Sequence, residues 1–194
     1  MTALDFIGFG ESPPLNAPFS ISDYAAWLIA LLPKLNLNCP HVIAHSFGCR
    51  VAVKAASLHG ELFGKILLTG PAGVILNRGA SYRAKVGAYR FVKRIFPRFA
   101  ETHFGSKEYR SLSPIMKESY KKIVNEDLRT DAKKVQNPVL LVEGTEDKVT
   151  TMAEAEAYLQ AFPNGELKIV SGGHFAFAEN PVPFNLIAEE FLND

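Results

Sequence analysis

The chain has 194 residues and a formal net charge of +1, because 21 lysines and arginines nearly balance 20 acidic residues. This length is typical of one domain with an insertion, and its core can fold without disulfides or a metal ion. The charge balance argues against nucleic-acid binding, which normally requires a basic excess.

Cysteine content and the pattern of apolar runs favour a cytoplasmic location. Cys39 and Cys49 are too few for a disulfide framework and are interpreted as two buried free thiols in a reducing compartment. The sequence has no uncharged apolar run that is long enough to predict a transmembrane helix. The first residues lack the basic flank and apolar segment of a signal peptide.

Strand and helix patterns alternate over residues 1–71. Residues 4–7 are typical of the end of a short strand, and the glycines and prolines that follow predict a loop. Ser20 followed by Asp23 predicts a capping box at the start of a helix, and Pro33 should end that helix. The next elements are predicted as a strand at 41–44, a helix at 47–58 and a strand at 65–69.

The pattern changes over residues 72–136, where strand signals vanish and helical patterns rich in Lys, Arg and Tyr replace them. Strand patterns return at 139–142 and 167–170, and helical patterns follow at 151–162 and after Asn180, the predicted N-cap of the last helix. Strands alternating with helices predict an α/β fold, in which helices cover both faces of a mostly parallel sheet. We therefore expect a core of residues 1–71 and 137–194 with a helical cap insertion at 72–136.

A strand pattern leads into Ala44-His45-Ser46-Phe47-Gly48, and a helical pattern leaves it. Small residues two places before and after a serine are typical of a nucleophile elbow, a tight turn that holds the hydroxyl above the end of a sheet. The alternative is a serine that merely caps the helix. The strand before and the helix after it favour Ser46 as a nucleophile.

His174 follows two glycines at the end of a predicted strand, where catalytic groups gather in parallel sheets. We predict it as the base that activates Ser46. His45 is interpreted as support for the turn, because adjacent residues in a turn point apart. The remaining histidines do not share the setting of His174: His41, His59 and His103.

An acid that orients the histidine is expected in the loop after the strand at 139–142. Asp147 is favoured for this role, in which it would fix the imidazole tautomer and stabilise the imidazolium. Glu146 is its main rival and Glu143 a weaker one. The order Ser46, Asp147, His174, with each residue after its own strand, is more specific than any single match.

These motifs resemble those of the α/β-hydrolase superfamily over nearly the whole chain except the insertion. Residues 5–12 resemble its D-x-x-G-x-G-x-S loop, 44–48 its G-H-S-x-G elbow, 144–147 its G-x-x-D acid loop and 173–174 its G-H loop. The resemblance implies a serine nucleophile, ester-like or related small-molecule substrates, a helical cap, and neither a cofactor nor a metal ion.

The chain departs from the family pattern at its N-terminus, because the family places three strands and a helix before the D-x-x-G-x-G loop. We therefore expect an N-terminally truncated sheet with a gap between the strands at 4–7 and 41–44. Three arrangements would close this gap: the two strands pair directly, an upstream segment lies between them, or a second copy of the chain pairs with the open edge to form a homo-oligomer.

The same departure affects the oxyanion hole, the set of N–H groups that stabilises the negatively charged intermediate. In the family, one donor follows the third strand, and the other is the N–H after the nucleophile, which is Phe47 here. Losing one donor lowers turnover by about 100- to 1,000-fold.

Residues 78–98 contain several lysines and arginines and no acidic residue. We interpret them as the solvated basic face of an amphipathic cap helix. The alternative is binding to anionic substrates or to a membrane surface.

Two hypotheses for function follow from these observations. The first is a serine hydrolase that acts by acyl transfer on a carboxylic ester, with thioester, lactone and carbon–carbon bond cleavage left open. The second is a truncated, catalytically weak binding or assembly module.

Overall fold

The structure is a computed structural model that describes residues 1–76, 109 and 111–194. These residues fall into two units, one within Met1–Phe19 and Ile75–Asn125, and the other Ser20–Val74 with Glu126–Asp194. The basic stretch at 78–98 and His103 lie outside the described residues. No helix in the described part of the chain is both long and apolar enough to cross a bilayer.

A parallel sheet forms the centre of the second unit. Its strands, as far as the described residues show, are β1 (Val42–His45), β2 (Ile66–Thr69), β3 (Val139–Gly144) and β4 (Gly165–Val170), and they are ordered as in the sequence. Every residue of β2 and β3 is buried, as expected for central strands covered on both faces. Four of the five predicted strands of the core are thus confirmed, and their carboxyl ends all lie at one edge of the sheet.

Helices begin and end where local sequence signals indicate. Helix α1 (Ile21–Leu31) starts with a capping box between Ser20 and Asp23 and ends before Pro33, as predicted. Helix α2 (Phe47–His59) directly follows β1. The later helices are α3 (Pro114–Val124), α4 (Arg129–Ala132), α5 (Met152–Leu159), α6 (Ala176–Glu179) and α7 (Pro181–Asn193).

Helix α7 closes one face of the sheet. Its buried residues Phe184 and Ala188 pack on Leu67 of β2 and Leu140 of β3. Removing such apolar area from water is the main source of stability, at about 25 cal/mol per Å². Asn180 is the N-cap residue of α7 and is followed by Pro181, as predicted, but its side chain makes no capping hydrogen bond; its Nδ2 donates to the Ser171 carbonyl at 2.7 Å.

The strand predicted at residues 4–7 is wrong. The backbone there has no strand hydrogen bonding and leads into a turn, and no strand among the described residues pairs with it. Asp5 instead organises the loop: its Oδ2 accepts from the Glu11 N–H at 3.0 Å, and its carbonyl accepts from the Ser12 hydroxyl at 2.7 Å. A short apolar run forms a strand only where a partner strand is available.

Helix α4 and the segment before it are joined to α2 by partly buried ion pairs. Lys54 Nζ of α2 lies 2.8 Å from Glu126 and 2.9 Å from Asp131. The Leu128 N–H donates to the Gly73 carbonyl at 2.8 Å. Residues 126–132 therefore belong to the same unit as the sheet.

The side-chain amide of Asn137, just before β3, stabilises the amino-terminal edge of the sheet. Its Nδ2 lies 3.0 Å from Gly60 O, 2.7 Å from Phe63 O and 3.0 Å from Gly64 O. Asn137→Asp replaces the donor with an acceptor that faces three carbonyls. We expect the free energy of unfolding to fall by about 1–3 kcal/mol in urea titrations.

Asn164→Asp is the matched control for this substitution. Asn164 Nδ2 donates to a single carbonyl, that of Gln136, at an exposed position. Loss of this hydrogen bond should lower the free energy of unfolding by less, because water can replace it at an exposed position. Equal destabilisation of both variants would contradict the assignment.

Candidate active site

Ser46 sits in a strained turn between β1 and α2. Its φ of 48° and ψ of −108° lie in a region that non-glycine residues rarely adopt. The Ser46 N–H donates to the Thr69 carbonyl at the end of β2, at 3.0 Å. This strand–turn–helix is the local structure that the sequence predicts, and it holds the serine hydroxyl at the carboxyl edge of the sheet.

His174 lies in the loop between β4 and α6 and connects two of the predicted residues. Its Nε2 is 3.0 Å from Ser46 Oγ, and its Nδ1 is 2.7 Å from Asp147 Oδ2. Because an ionised carboxylate only accepts, Nδ1 carries the proton and Nε2 is left to accept from the Ser46 hydroxyl. The structure therefore brings Ser46, Asp147 and His174 into one hydrogen-bonded chain.

The Asp147 carboxylate is buried and receives several donors. Oδ1 accepts from the N–H groups of Val149 at 2.7 Å and Thr150 at 3.0 Å, and Oδ2 accepts from the Thr150 hydroxyl at 2.7 Å. Burial alone would raise the pKa of Asp147, but the hydrogen bonds from His174, Thr150 and the backbone hold that pKa below its usual value. Asp147 is therefore ionised at neutral pH.

Among the three candidate acids, Asp147 is the one that contacts His174 in the structure. The side chain of Glu146 is exposed, and its backbone N–H donates to the Gly172 carbonyl at 2.8 Å. Glu143 is fully buried at the end of β3.

Glu143 is a titratable group that sequence reasoning treated only as a rival acid. Both of its carboxyl oxygens lack a hydrogen-bond partner among the described residues. Burial, and then the negative charge of nearby Asp147, raise the pKa of Glu143 from 4.5 to about 8. Glu143 therefore keeps its proton at neutral pH, whereas Asp147 does not.

His45 packs against the candidate base. Its Nδ1 donates to the Thr69 carbonyl at 3.1 Å, and its ring centroid lies 4.7 Å from that of His174. Burial and then the neighbouring His174 lower the pKa of His45, which favours a neutral ring. These contacts agree with the interpretation of His45 as support for the turn.

Glycine is required where this packing is closest. Gly70 has a φ of 51°, and a Cβ there would lie 3.0 Å from the His174 ring and 3.2 Å from the His45 ring. A larger residue at position 70 would therefore displace the candidate base.

Phe47, the predicted oxyanion donor, is the first residue of α2, and its ring packs edge-on against Tyr24 at 5.1 Å. Its backbone N–H thus belongs to the first turn of a helix, where the helix dipole favours negative charge. Two of the histidines that were not assigned to the site have other contacts: His41 Nδ1 accepts from the Lys65 N–H, and His59 contacts Glu61 at the surface.

Metal ligation is a separate question from the serine chemistry. No cluster of three or more His, Cys, Asp or Glu side chains that could hold a metal ion occurs among residues 1–76, 109 and 111–194.

Comparison with known proteins identifies the class. The model of the alpha/beta hydrolase family matches residues 2–185. The chain therefore belongs to the alpha/beta hydrolase family.

Individual relatives are more distant. The 2-hydroxymuconate semialdehyde hydrolase of Pseudomonas putida is 24% identical over 98% of this chain and 75% of its own length. A putative carbamate hydrolase RutD of Pseudomonas syringae pv. syringae (strain B728a) is 23% identical over 97% of this chain and 82% of its own. The solved structure of an esterase from Exiguobacterium antarcticum superposes with a TM-score of 0.75 at 18% identity, covering 98% of this chain and 80% of that one.

Glu143 makes the stability of the fold depend on pH. Its pKa is higher in the folded chain, at about 8, than its ordinary 4.5, so the folded state holds the extra proton between these values. Stability should therefore fall as pH rises from about 4.5 to about 8 and change no further from this source above that. Glu143→Gln removes this dependence, so its stability relative to the unmodified chain should rise between pH 5 and pH 8.5 in urea titrations.

Glu146→Gln is the matched control, because Glu146 lies in the same loop but is exposed. Its stability difference from the unmodified chain should stay constant over the same range. A pH-independent stability difference for Glu143→Gln would show that Glu143 is not held protonated by the fold.

The groups whose charges act on Glu143 are Asp147 and Glu154, and the buried Cys49 thiol lies close to it.

Proposed function

We propose that the chain is a serine hydrolase that cleaves a carboxylic ester, or a related small-molecule substrate, by acyl transfer. The observation that carries this proposal is the His174 ring, which is hydrogen-bonded to Ser46 through Nε2 and to Asp147 through Nδ1. An aligned nucleophile, base and orienting acid is the arrangement that activates a serine hydroxyl.

The first half of the proposed reaction forms an acyl-enzyme. Ser46 Oγ attacks the ester carbonyl carbon while its proton passes to His174 Nε2. The carbonyl oxygen becomes an oxyanion, stabilised by the N–H of Phe47. The intermediate then collapses, the bond to the leaving oxygen breaks, and His174 donates its proton to the departing alcohol.

The second half releases the acid. A water molecule loses a proton to His174 Nε2 and attacks the acyl carbon, and the new intermediate expels Ser46 Oγ, which recovers the proton from His174. Asp147 stays ionised throughout and stabilises the imidazolium. The low pKa of Asp147 supports this role, because a carboxyl that took up the proton could not stabilise a positive ring.

Family membership supports a hydrolase, and the substrate class is the finer part of the proposal. Proteins similar to this chain are named as a semialdehyde hydrolase, a putative carbamate hydrolase and an esterase. Carboxylic esters are the first class to assay, followed by thioesters, lactones and carbamates. We further propose that the insertion at residues 72–136 determines which of these substrate classes is cleaved.

The test of the proposal is a fluorophosphonate probe together with hydrolysis of p-nitrophenyl esters. The unmodified chain should be labelled, and Ser46→Ala should abolish both labelling and turnover. Asp147→Asn should lower kcat by about 1,000- to 10,000-fold, because it removes the charge that supports the imidazolium. Glu146→Gln is the control and should retain activity. Labelling that persists in Ser46→Ala would overturn the assignment of the nucleophile.

The second candidate function, an assembly module, is favoured by the open edge of β1. The N–H groups of Val42 and Ser46 donate toward β2. Because successive residues of a strand direct their peptide groups to opposite edges, those of Ile43 and His45 face the edge away from β2. No strand among the described residues pairs there, and Ile43 is exposed. A second copy of the chain offers the same edge, which makes a homodimer through β1 the proposed assembly.

Sedimentation velocity tests the assembly. Dimers should form in the unmodified chain, and Ile43→Pro, which removes an edge N–H that β2 does not use, should convert them to monomers. Monomers in the unmodified chain at all concentrations would count against assembly through β1. A folded dimer that the fluorophosphonate does not label would favour the module over the hydrolase.

A further inference from the structure

Thr150 is the residue of the site that sequence reasoning missed. It is buried, it follows Asp147 by three positions, and its hydroxyl donates to Asp147 Oδ2 at 2.7 Å. Its backbone N–H donates to the other carboxylate oxygen, Oδ1, at 3.0 Å. One residue therefore binds both oxygens of the candidate acid.

The same hydroxyl also faces the candidate base. Thr150 Oγ1 lies 3.4 Å from His174 Nδ1. A hydroxyl has one proton, and here it is used on the carboxylate, so its lone pairs are what the Nδ1–H encounters. The imidazole N–H thus has a near acceptor, Asp147 Oδ2 at 2.7 Å, and a distant one in Thr150.

The two carboxylate oxygens are held differently. Oδ1 accepts from two backbone N–H groups, those of Val149 and Thr150, which are fixed by the loop. Oδ2 accepts from two side chains, His174 and Thr150. In the proposed reaction His174 shifts between Ser46 and the leaving group, so Thr150 supplies the contact on Oδ2 that does not move with the base.

We propose that Thr150 is a positioning residue whose hydroxyl holds Asp147 Oδ2 in the orientation that receives the Nδ1–H of His174. This inference rests on the proposed hydrolase function, but the contact itself does not involve a substrate. Loss of the hydroxyl should leave KM unchanged and lower kcat.

The test compares substitutions that separate the hydroxyl from the shape of the side chain. Thr150→Val keeps the branched shape and removes the hydroxyl, whereas Thr150→Ser keeps the hydroxyl. Thr150→Val should lower kcat by roughly 10- to 100-fold, the effect of losing one hydrogen bond to a charged group. Thr150→Ser should recover most of the rate. Thr150→Ala replaces Thr150→Val in the comparison if the valine variant does not fold.

Thr145→Val is the matched control for losing a threonine hydroxyl in the same loop. Thr145 Oγ1 accepts from the Gly172 N–H at 3.3 Å and does not bind the carboxylate. Its kcat should fall less than that of Thr150→Val at similar thermal stability. An equal fall would mean that the effect comes from general disturbance of the loop.

A proton NMR measurement tests the contact independently of turnover. The Nδ1–H of His174, assigned by its absence in His174→Gln, should give a strongly downfield signal. That signal should shift upfield or broaden in Thr150→Val and return in Thr150→Ser.

The outcomes separate the two proposals. A chain that hydrolyses esters through Ser46 while Thr150→Val retains full kcat and an unchanged Nδ1–H signal would overturn the role of Thr150 alone. A chain that neither labels nor hydrolyses would overturn the proposed function, and the NMR comparison would still decide the Thr150 contact.

Discussion

The candidate site depends on the close approach of the two loops that follow β3 and β4. The Thr145 N–H donates to Val170 O at 3.0 Å, and the Glu146 N–H donates to Gly172 O at 2.8 Å, so the acid loop continues the pairing of the strands beyond the sheet. Gly144 makes this possible, because a Cβ there would clash with the Gly173 carbonyl oxygen. With the backbones this close, Asp147 and His174 come within hydrogen-bonding distance without any long side chain to bridge them.

Ser46, the proposed nucleophile, is held by a different set of contacts at the neighbouring strands. The Thr69 carbonyl at the end of β2 accepts from Ser46 N–H at 3.0 Å and His45 Nδ1 at 3.1 Å, and the Cys49 thiol lies 3.5 Å away. A serine with φ of 48° is strained, and such a conformation persists only where the surroundings over-determine it. The Thr69 carbonyl thus contacts residues before, at and after the turn, and these contacts fix Ser46 to the same sheet that positions His174.

The parts of the site that were predictable are those with a local signature. Ser46 has small neighbours and lies between a strand and a helix, and Asp147 and His174 each follow an apolar run that ends in glycine, so backbone chemistry alone indicates their edge of the sheet. Thr150 and Glu143 have no such signature, because their importance comes from what lies opposite them in space. The apolar run at residues 4–7 failed as a strand for the same reason: strand formation depends on a partner that local sequence does not reveal.

Two carboxyl groups at the end of β3 differ in charge although both are buried. Burial favours the neutral form of each, and two neighbouring carboxylates in a low-dielectric site cannot both ionise cheaply. What separates them is the supply of donors: Asp147 binds two backbone N–H groups, a hydroxyl and an imidazole, whereas the oxygens of Glu143 have no partner among the described residues. The negative charge therefore resides on Asp147, whereas Glu143 keeps its proton at neutral pH. Hydrogen bonding, rather than exposure to solvent, thus decides which of the two carboxyl groups is charged, and Thr150, a donor to both oxygens of Asp147, contributes directly to that placement.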